Sequence, residues 1–468
     1  MKQEINLKDK LGFWSIVFLA INSIIGSGIF LTPGSVVRQV GSQALIAYLL
    51  AAILASIIAI SFAAAAKYVT QSGAAYAYAK AAFGDKVGFY IGILRYFSAT
   101  TAWGVMAVGV IKSTLAIFGM NPNDNVRVIL GILILMGIIS LINALGQRVV
   151  KYVMNLSTIV KVAVLLLIIV AGLLLLLTTG ATGNLSQVDQ VTQNGKVIVP
   201  TLTTATFTMA VVSAFYAFTG FEAVASGSED MQNPSKNLPR AIPLAILIIA
   251  AIYIGVVAVT LLVNPEVIMT TNQVVAVTAI FNNVILRDII LVGALVSMFG
   301  INVASSFHAP RILEAMAKQG QISSKLTRRT KNNFPLRSFV TSILLAVLIP
   351  LAFNYNMVNL ITLSALVRFL GFIMVPLAVI SFYFNKSQVA VLPAPKNFIT
   401  DVCAPIVSIL LVVFLLINYN WKLQFGIVEN GQVIGINWYA IGMAVFGFVV
   451  LPLVITLITK LENRSVTK

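Results

Sequence analysis

Apolar runs long enough to cross a bilayer follow one another along almost the whole chain, separated by short polar stretches. A membrane-spanning helix needs about 20 apolar residues. The pattern predicts twelve spans, at 12–38, 42–68, 87–118, 127–146, 151–178, 202–228, 240–263, 285–317, 336–354, 357–384, 399–419 and 436–460. The third and eighth are longer than the bilayer demands, so they tilt or extend beyond it. Two spans are interrupted. Gly26, Ser27 and Gly28 break the first, within Ile24-Ile-Gly-Ser-Gly-Ile-Phe-Leu-Thr-Pro-Gly34. Phe218-Thr-Gly-Phe221 breaks the sixth. Both breaks fall about 15–18 residues into their spans, which at 1.5 Å per residue is near mid-bilayer depth.

Backbone polar groups at that depth must be satisfied, so a break is tolerable only where protein, water or a ligand takes the freed groups. Paired breaks in corresponding places of two halves point to a transporter binding site. With five spans per half, the second half starts from the opposite face and is inverted relative to the first. The expected organisation is an N-terminus at 1–11, a first five-helix repeat at 12–178 and an external loop at 179–201. A second, inverted repeat follows at 202–384, then a linker at 385–398, two additional helices at 399–460 and a tail at 461–468. Small residues also mediate close helix packing, which is the plainer reading of either break alone.

Composition agrees with an all-α integral membrane protein: 59% of residues are hydrophobic and 10% charged, with mean hydropathy +0.98. The net charge of +17 invites a nucleic-acid reading, but its distribution argues otherwise. With the spans so placed, 22 of the 31 Lys and Arg lie on one side, 4 on the other and 5 within or bordering spans. That is the positive-inside bias, and it puts both termini in the cytoplasm of a multi-pass plasma-membrane protein. The first apolar run is too long for a signal-peptide core and reads as a first span. One cysteine, Cys403, and one histidine, His308, leave no basis for a disulfide framework or a multi-histidine metal site. No phosphate-binding loop, zinc-protease motif or catalytic domain is visible, so the chain reads as no enzyme and implies no cofactor.

The breaks suggest their own chemistry. The helix restarting near Gly28 presents free N–H groups and a positive dipole end, suited to a carboxylate, and Ser27 adds a hydroxyl. The helix ending near Phe218 leaves carbonyls free, which with the Thr219 hydroxyl suit an ammonium. An α-amino acid carries both charges on one carbon, so it is the leading substrate class. Tyr216, Phe215, Phe218 and Phe221 surround the second break, where aromatics can close over a substrate or pack ordinarily.

Charged groups within spans are functional candidates by default. Glu222 is the one acid placed deep in a span; it can titrate, pair with a cationic substrate or hydrogen-bond the broken backbone. Lys161 lies about ten residues into the fifth span, too deep to snorkel comfortably. It can exchange a proton during transport, stand in for a bound metal cation, or simply tether carbonyls. Arg95, Lys112 and Arg368 read as structural, and His308 as a packing histidine. With no acid but Glu222 to hold a cationic side chain, the pocket tilts toward neutral substrates.

Four motifs carry a resemblance over essentially the whole chain: Ile25-Gly-Ser-Gly-Ile-Phe30 with Pro33; Ser72-Gly-Ala-Ala-Tyr-Ala-Tyr78 with Phe83-Gly84; Phe218-Thr-Gly-Phe-Glu-Ala223; and Glu229-Asp-Met-Gln-Asn-Pro-Ser-Lys-Asn-Leu-Pro-Arg-Ala-Ile242. The chain resembles the amino acid–polyamine–organocation superfamily of permeases. The resemblance implies the inverted five-plus-five fold of sodium-coupled leucine transporters plus two helices. It implies a substrate site of Ser23, Gly26, Ser27, Gly28, Tyr216, Phe218, Thr219 and Gly220. It implies that Lys161 occupies the place of a sodium ion in relatives, near Asn22 and hydroxyls of the eighth span, with Ser305 and Ser306 as candidates. Glu222 is similar to the sixth-helix glutamate of amino acid/amine exchangers, which generally lack the lysine. Ala74 stands where a glycine is commoner. The expected activity is sodium-independent, proton-coupled transport of L-amino acids by alternating access, with amino acid and protons as partners, a lipid bilayer as surroundings and no nucleic acid. The alternative is an antiporter exchanging an amino acid for its amine product; a nutrient sensor or a channel is less consistent with the paired breaks.

Overall fold

The computed structural model describes residues 11–71, 73–179, 185–193, 195–225, 231–271, 275–330, 334–429 and 432–466. The polar N-terminus to Lys10, Ser72, Lys331, the motif residues Glu229 and Asp230, and Lys468 lie outside the described residues.

Helices account for nearly all of the regular structure. In chain order the principal ones are α1 (Phe13–Ile24), α2 (Gly28–Val40), α3 (Ala44–Tyr68), α4 (Ala75–Phe83), α5 (Asp85–Ile117), α6 (Asn125–Ala144) and α7 (Gln147–Thr179). The second part of the chain contains α8 (Thr204–Phe218), α9 (Phe221–Val224), α10 (Pro234–Val263), α11 (Val284–Lys318), α12 (Leu336–Ala352) and α13 (Met357–Tyr383), then α14 (Ala404–Asn418), α15 (Trp438–Val445) and α16 (Leu451–Val466). Two small antiparallel hairpins, at 192–197 and 426–436, join neighbouring helices. Among the described residues, ten helical stretches are long and apolar enough to cross a membrane. One of them, Gly28–Tyr68, runs over two of the expected spans, and Phe13–Ile24 and Leu336–Ala352 are shorter apolar helices.

Helix starts follow local side-chain chemistry. Asp124 accepts from the Val126 and Arg127 N–H groups to start α6, and Thr203 and Thr206 form a reciprocal capping box at α8. Asn283 and Asn356 cap α11 and α13. The outer helices leave large apolar side chains uncovered, for example Leu141, Leu177 and Ile417. In a bilayer such side chains face lipid at no cost, and the sorting that water enforces on a soluble fold does not apply.

The interior is built by α1, α2, α3, α5, α8, α10, α11 and α13. α10 packs along α3, α11 lies between α5 and α7, α13 lies along α5, and α2 lies along α8. Phe62, Phe215, Phe221, Phe369 and Phe372 form one aromatic cluster beneath the break between α8 and α9, with centroids 5.6–6.3 Å apart. Buried polar ties join distant elements. Asp401 accepts from Lys67 Nζ at 2.7 and 2.9 Å, from Tyr68 at 2.7 Å, from the Thr400 hydroxyl at 2.7 Å and from the Asn397 N–H at 3.1 Å. Glu314, at the end of α11, is held by Arg329 through two 2.6 Å contacts. Glu222 is therefore not the only buried acid: Asp401 and Glu314 are 0% and 2% exposed, at helix ends that the apolar pattern treats as boundaries.

Ala74, which stands where the resembled family more often has glycine, adopts φ 46° and ψ −117° at the start of α4. An L-residue is strained there, because its Cβ crowds the backbone.

Candidate functional site

The chain leaves helical geometry twice in the interior. α1 ends at Ile24 and α2 restarts at Gly28; α8 ends at Phe218 and α9 restarts at Phe221. Gly220 has φ +120°, and a Cβ there would run into the Ser23 carbonyl oxygen. The two breaks therefore touch, and only glycine permits the approach. The Ser27 carbonyl already accepts from the Phe30 and Leu31 N–H groups. The Thr219 hydroxyl donates back to the Tyr216 carbonyl at 2.7 Å and closes the end of α8.

Against the two breaks lies a cavity of about 80 Å³. That is room for several waters or a small polar molecule. Ser23, Gly26–Gly28, Tyr216, Thr219 and Gly220 border it, together with Arg95 and Met106 of α5, Ser305 and His308 of α11, Glu222 of α9 and Arg368 of α13; small apolar side chains such as Ala99, Ala102 and Ala304 complete the wall. Five buried polar atoms around it have no hydrogen-bond partner: Ser27 Oγ, Arg95 Nε, Glu222 Oε1, His308 Nε2 and Arg368 Nη1. Buried polar groups are normally satisfied, so these atoms offer hydrogen-bonding capacity to a polar occupant of the cavity.

The side of the breaks toward Val40 and Thr204 is shut. A Cβ on Gly28 would lie 2.5 Å from Ala217 Cα, so α2 and α8 are in backbone contact there. Farther along α2, Arg38 donates to the Met269 and Thr271 carbonyls at 2.6 Å each. The cavity lies on the other side of the breaks.

Lys161 projects from α7 to the first break and is fully buried. Its Nζ donates to the Asn22 carbonyl at 3.1 Å, Asn22 Oδ1 at 2.7 Å and the Ile25 carbonyl at 2.7 Å. Three acceptors match the three N–H groups of an ammonium. The nearby hydroxyl from α11 is that of Ser297, which donates to the Gly26 carbonyl at 3.4 Å.

Ser305 and Ser306 are placed elsewhere. They lie two turns beyond Ser297, roughly 12 Å along the helix axis. Ser305 faces the cavity beside Met106, and Ser306 is engaged with Val303 and with Asn143 of α6. Phe218 also departs from the expected set. Its ring packs on Tyr253 of α10, 5.1 Å between centroids, and it does not line the cavity. Tyr216, two positions earlier and about 200° around the helix, faces the cavity instead.

Glu222 lies between two arginines. Its Oε1 is 3.1 Å from Arg368 Nη1 and 3.5 Å from Arg95 Nη1, while Oε2 accepts from the Gly220 N–H at 2.8 Å. The first two contacts are ion pairs whose angles fall short of hydrogen bonds, which is why Oε1 and Nη1 also count among the unpartnered atoms. The carboxylate thus ties the second break to α5 and α13. Arg95 and Arg368 read as structural from sequence. The signal that could have separated them was arithmetic: two arginines at depth in separate spans, and one acid at depth to serve both.

A bundle of long apolar helices, with a cavity bordered by charged side chains against two broken helices, defines a multi-pass membrane transporter. The chain belongs to the amino acid permease family, whose model matches residues 11–451, and so to the amino acid–polyamine–organocation superfamily. It is 37% identical over 455 residues to an uncharacterised transporter of Mycobacterium tuberculosis, covering 95% of this chain and 93% of that one. It is 28% identical to a branched-chain amino acid permease of Bacillus subtilis, covering 89% and 90%. It is 26% identical to a serine/threonine exchanger of the same organism, covering 68% and 70%. The family and these relatives are transporters, not enzymes.

Proposed function

We propose that this permease carries L-amino acids across the plasma membrane by alternating access, without sodium and coupled to protons. In this reading the chain spans the membrane twelve times as two inverted five-helix repeats plus two helices, with both termini cytoplasmic. The side sealed by Gly28 and Ala217 is external, and the cavity opens inward. The α-carboxylate docks on Ser27 and the N–H groups at the start of α2, and the ammonium docks on the carbonyls of Phe218 and Thr219 at the end of α8. Ser23 and Tyr216 shape the pocket between them.

The observation that carries the coupling is the Lys161 ammonium bound to Asn22 and Ile25. A fixed cation on these carbonyls removes the need for a sodium ion. Loss of its proton leaves two N–H groups for three acceptors. One bond at the first break is then forfeited, and the break is freer to move. Substrate contributes by binding the closed arrangement more tightly than the open ones, since a ligand shifts an equilibrium only through differential affinity.

Purified protein in sodium-free proteoliposomes tests the reading. Accumulation that requires an inward proton gradient and collapses with a protonophore supports it. A second reading, exchange of one substrate for another, is favoured by the likeness to the serine/threonine exchanger. It predicts no uptake into empty vesicles and uptake into preloaded ones.

A further inference from the structure

Among the groups that line the cavity, positive charge exceeds negative. Arg95 and Arg368 both line the cavity, and their side chains are only 11% and 7% exposed. Glu222 is the one acid in that wall. Its Oε2 is already committed to the Gly220 N–H, so a single oxygen serves two guanidiniums. A guanidinium has five N–H donors. For Arg368 the structure accounts for Nε on Ser98 Oγ at 3.3 Å, with Nη1 beside Glu222 but poorly aligned; Arg95 Nε has no partner. His308 Nε2, which also lines the cavity, is unpartnered as well. A smaller cavity of about 20 Å³ behind Glu222 touches the same three charged groups and has room for about one water.

Buried charge in a membrane protein is paired or serves a ligand. Two cations against one anion leave a charge of plus one for the occupant to balance. A zwitterionic amino acid with a neutral side chain brings no net charge. We propose that the preferred substrate is an L-amino acid bearing a side-chain carboxylate, held by Arg95 and Arg368 on the cavity wall formed by α5 and α13. Planar guanidiniums with free N–H groups suit a carboxylate better than an amide of the same shape, which offers one acceptor and two donors. This reverses the tilt toward neutral substrates read from the sequence. Glu222, the residue that suggested a cation, is already neutralised by its neighbours.

The inference rests on the amino acid reading above, and one experiment separates their failures. Uptake of labelled L-glutamate, L-aspartate, L-glutamine, L-asparagine and L-leucine is compared in proteoliposomes preloaded with the same unlabelled compound. The expected result is a kcat/KM for glutamate or aspartate at least about tenfold above that of its amide. Arg368→Lys keeps the charge but loses the fork, and should erase most of that preference. Should the variant fail to fold, wild-type protein suffices: the acids should raise its melting temperature and the amides should not. Uptake of neutral amino acids equal to or better than the acids overturns the acidic preference and leaves the permease reading standing. Uptake of none of the five overturns the acidic preference, and uptake of no member of a complete L-amino-acid panel overturns both.

Discussion

The Lys161 Nζ and the Ile25 carbonyl oxygen lie 2.7 Å apart, joining α7 to the break between α1 and α2. Asn22 supplies two further acceptors to the same nitrogen. The contact puts the fully buried lysine on the backbone of a helix that must move if access alternates. Replacing Lys161 with Ala leaves those carbonyls without a donor, at about 1–3 kcal/mol for each buried group not reached by water. We expect Lys161→Ala to equilibrate substrate but not to concentrate it. The final substrate ratio across the vesicle membrane, with and without a proton gradient, reads this directly; gradient-driven accumulation at the wild-type level would remove the lysine from coupling.

Gly220 is where the second break meets the Ser23 carbonyl of the first. Gly220→Ala adds backbone strain of about 1–3 kcal/mol at φ +120° and an overlap with the Ser23 carbonyl. Each 1.4 kcal/mol is tenfold in an equilibrium. Initial uptake should fall by about tenfold or more, with the protein still folded by size-exclusion chromatography. Wild-type rates in that variant would mean the breaks need not touch.

The Arg95–Glu222–Arg368 cluster should behave as a unit. Glu222→Gln leaves two buried guanidiniums without a counter-charge, and breaking a buried pair typically costs about 3–5 kcal/mol. Glu222→Gln with Arg368→Gln should lose less than the sum of the two single changes, because the second removes a cation that the first left unpaired. Melting temperatures of the four proteins complete the cycle, and simple additivity would show that the 3.1 Å contact carries no coupling.

Ala74 offers a change in the opposite direction. Its φ of 46° and ψ of −117° suit glycine, and the residue is fully buried. Ala74→Gly should therefore stabilise the protein by up to about 1–3 kcal/mol, less the extra entropy glycine brings to the unfolded chain. A lowered melting temperature would show that the methyl group's packing outweighs the backbone strain.

What could be read from the chain, and what could not, follows from the physics of each feature. The breaks at Gly26–Gly28 and Thr219–Gly220 were legible because a mid-bilayer interruption is a local pattern with few tolerable causes. Lys161 and Glu222 were legible because charge at depth is rare. Their partners were not. Ser297 rather than Ser305 approaches the first break, and the choice depends on how far α11 slides along α7, which no local pattern encodes. Phe218 turns to Tyr253 because of the rotation of α8, another tertiary quantity. The roles of Arg95 and Arg368 required knowing that α5, α9 and α13 converge on one cavity.

The central claim is that a fixed lysine replaces sodium and links protons to amino acid movement. The most direct test is uptake of a labelled L-amino-acid panel, acidic members included, into empty sodium-free proteoliposomes under an inward proton gradient. The account predicts concentrative uptake that a protonophore abolishes, that added sodium does not increase, and that Lys161→Ala lacks. Concentrative uptake only in the presence of sodium, or only in exchange for preloaded substrate, would contradict it.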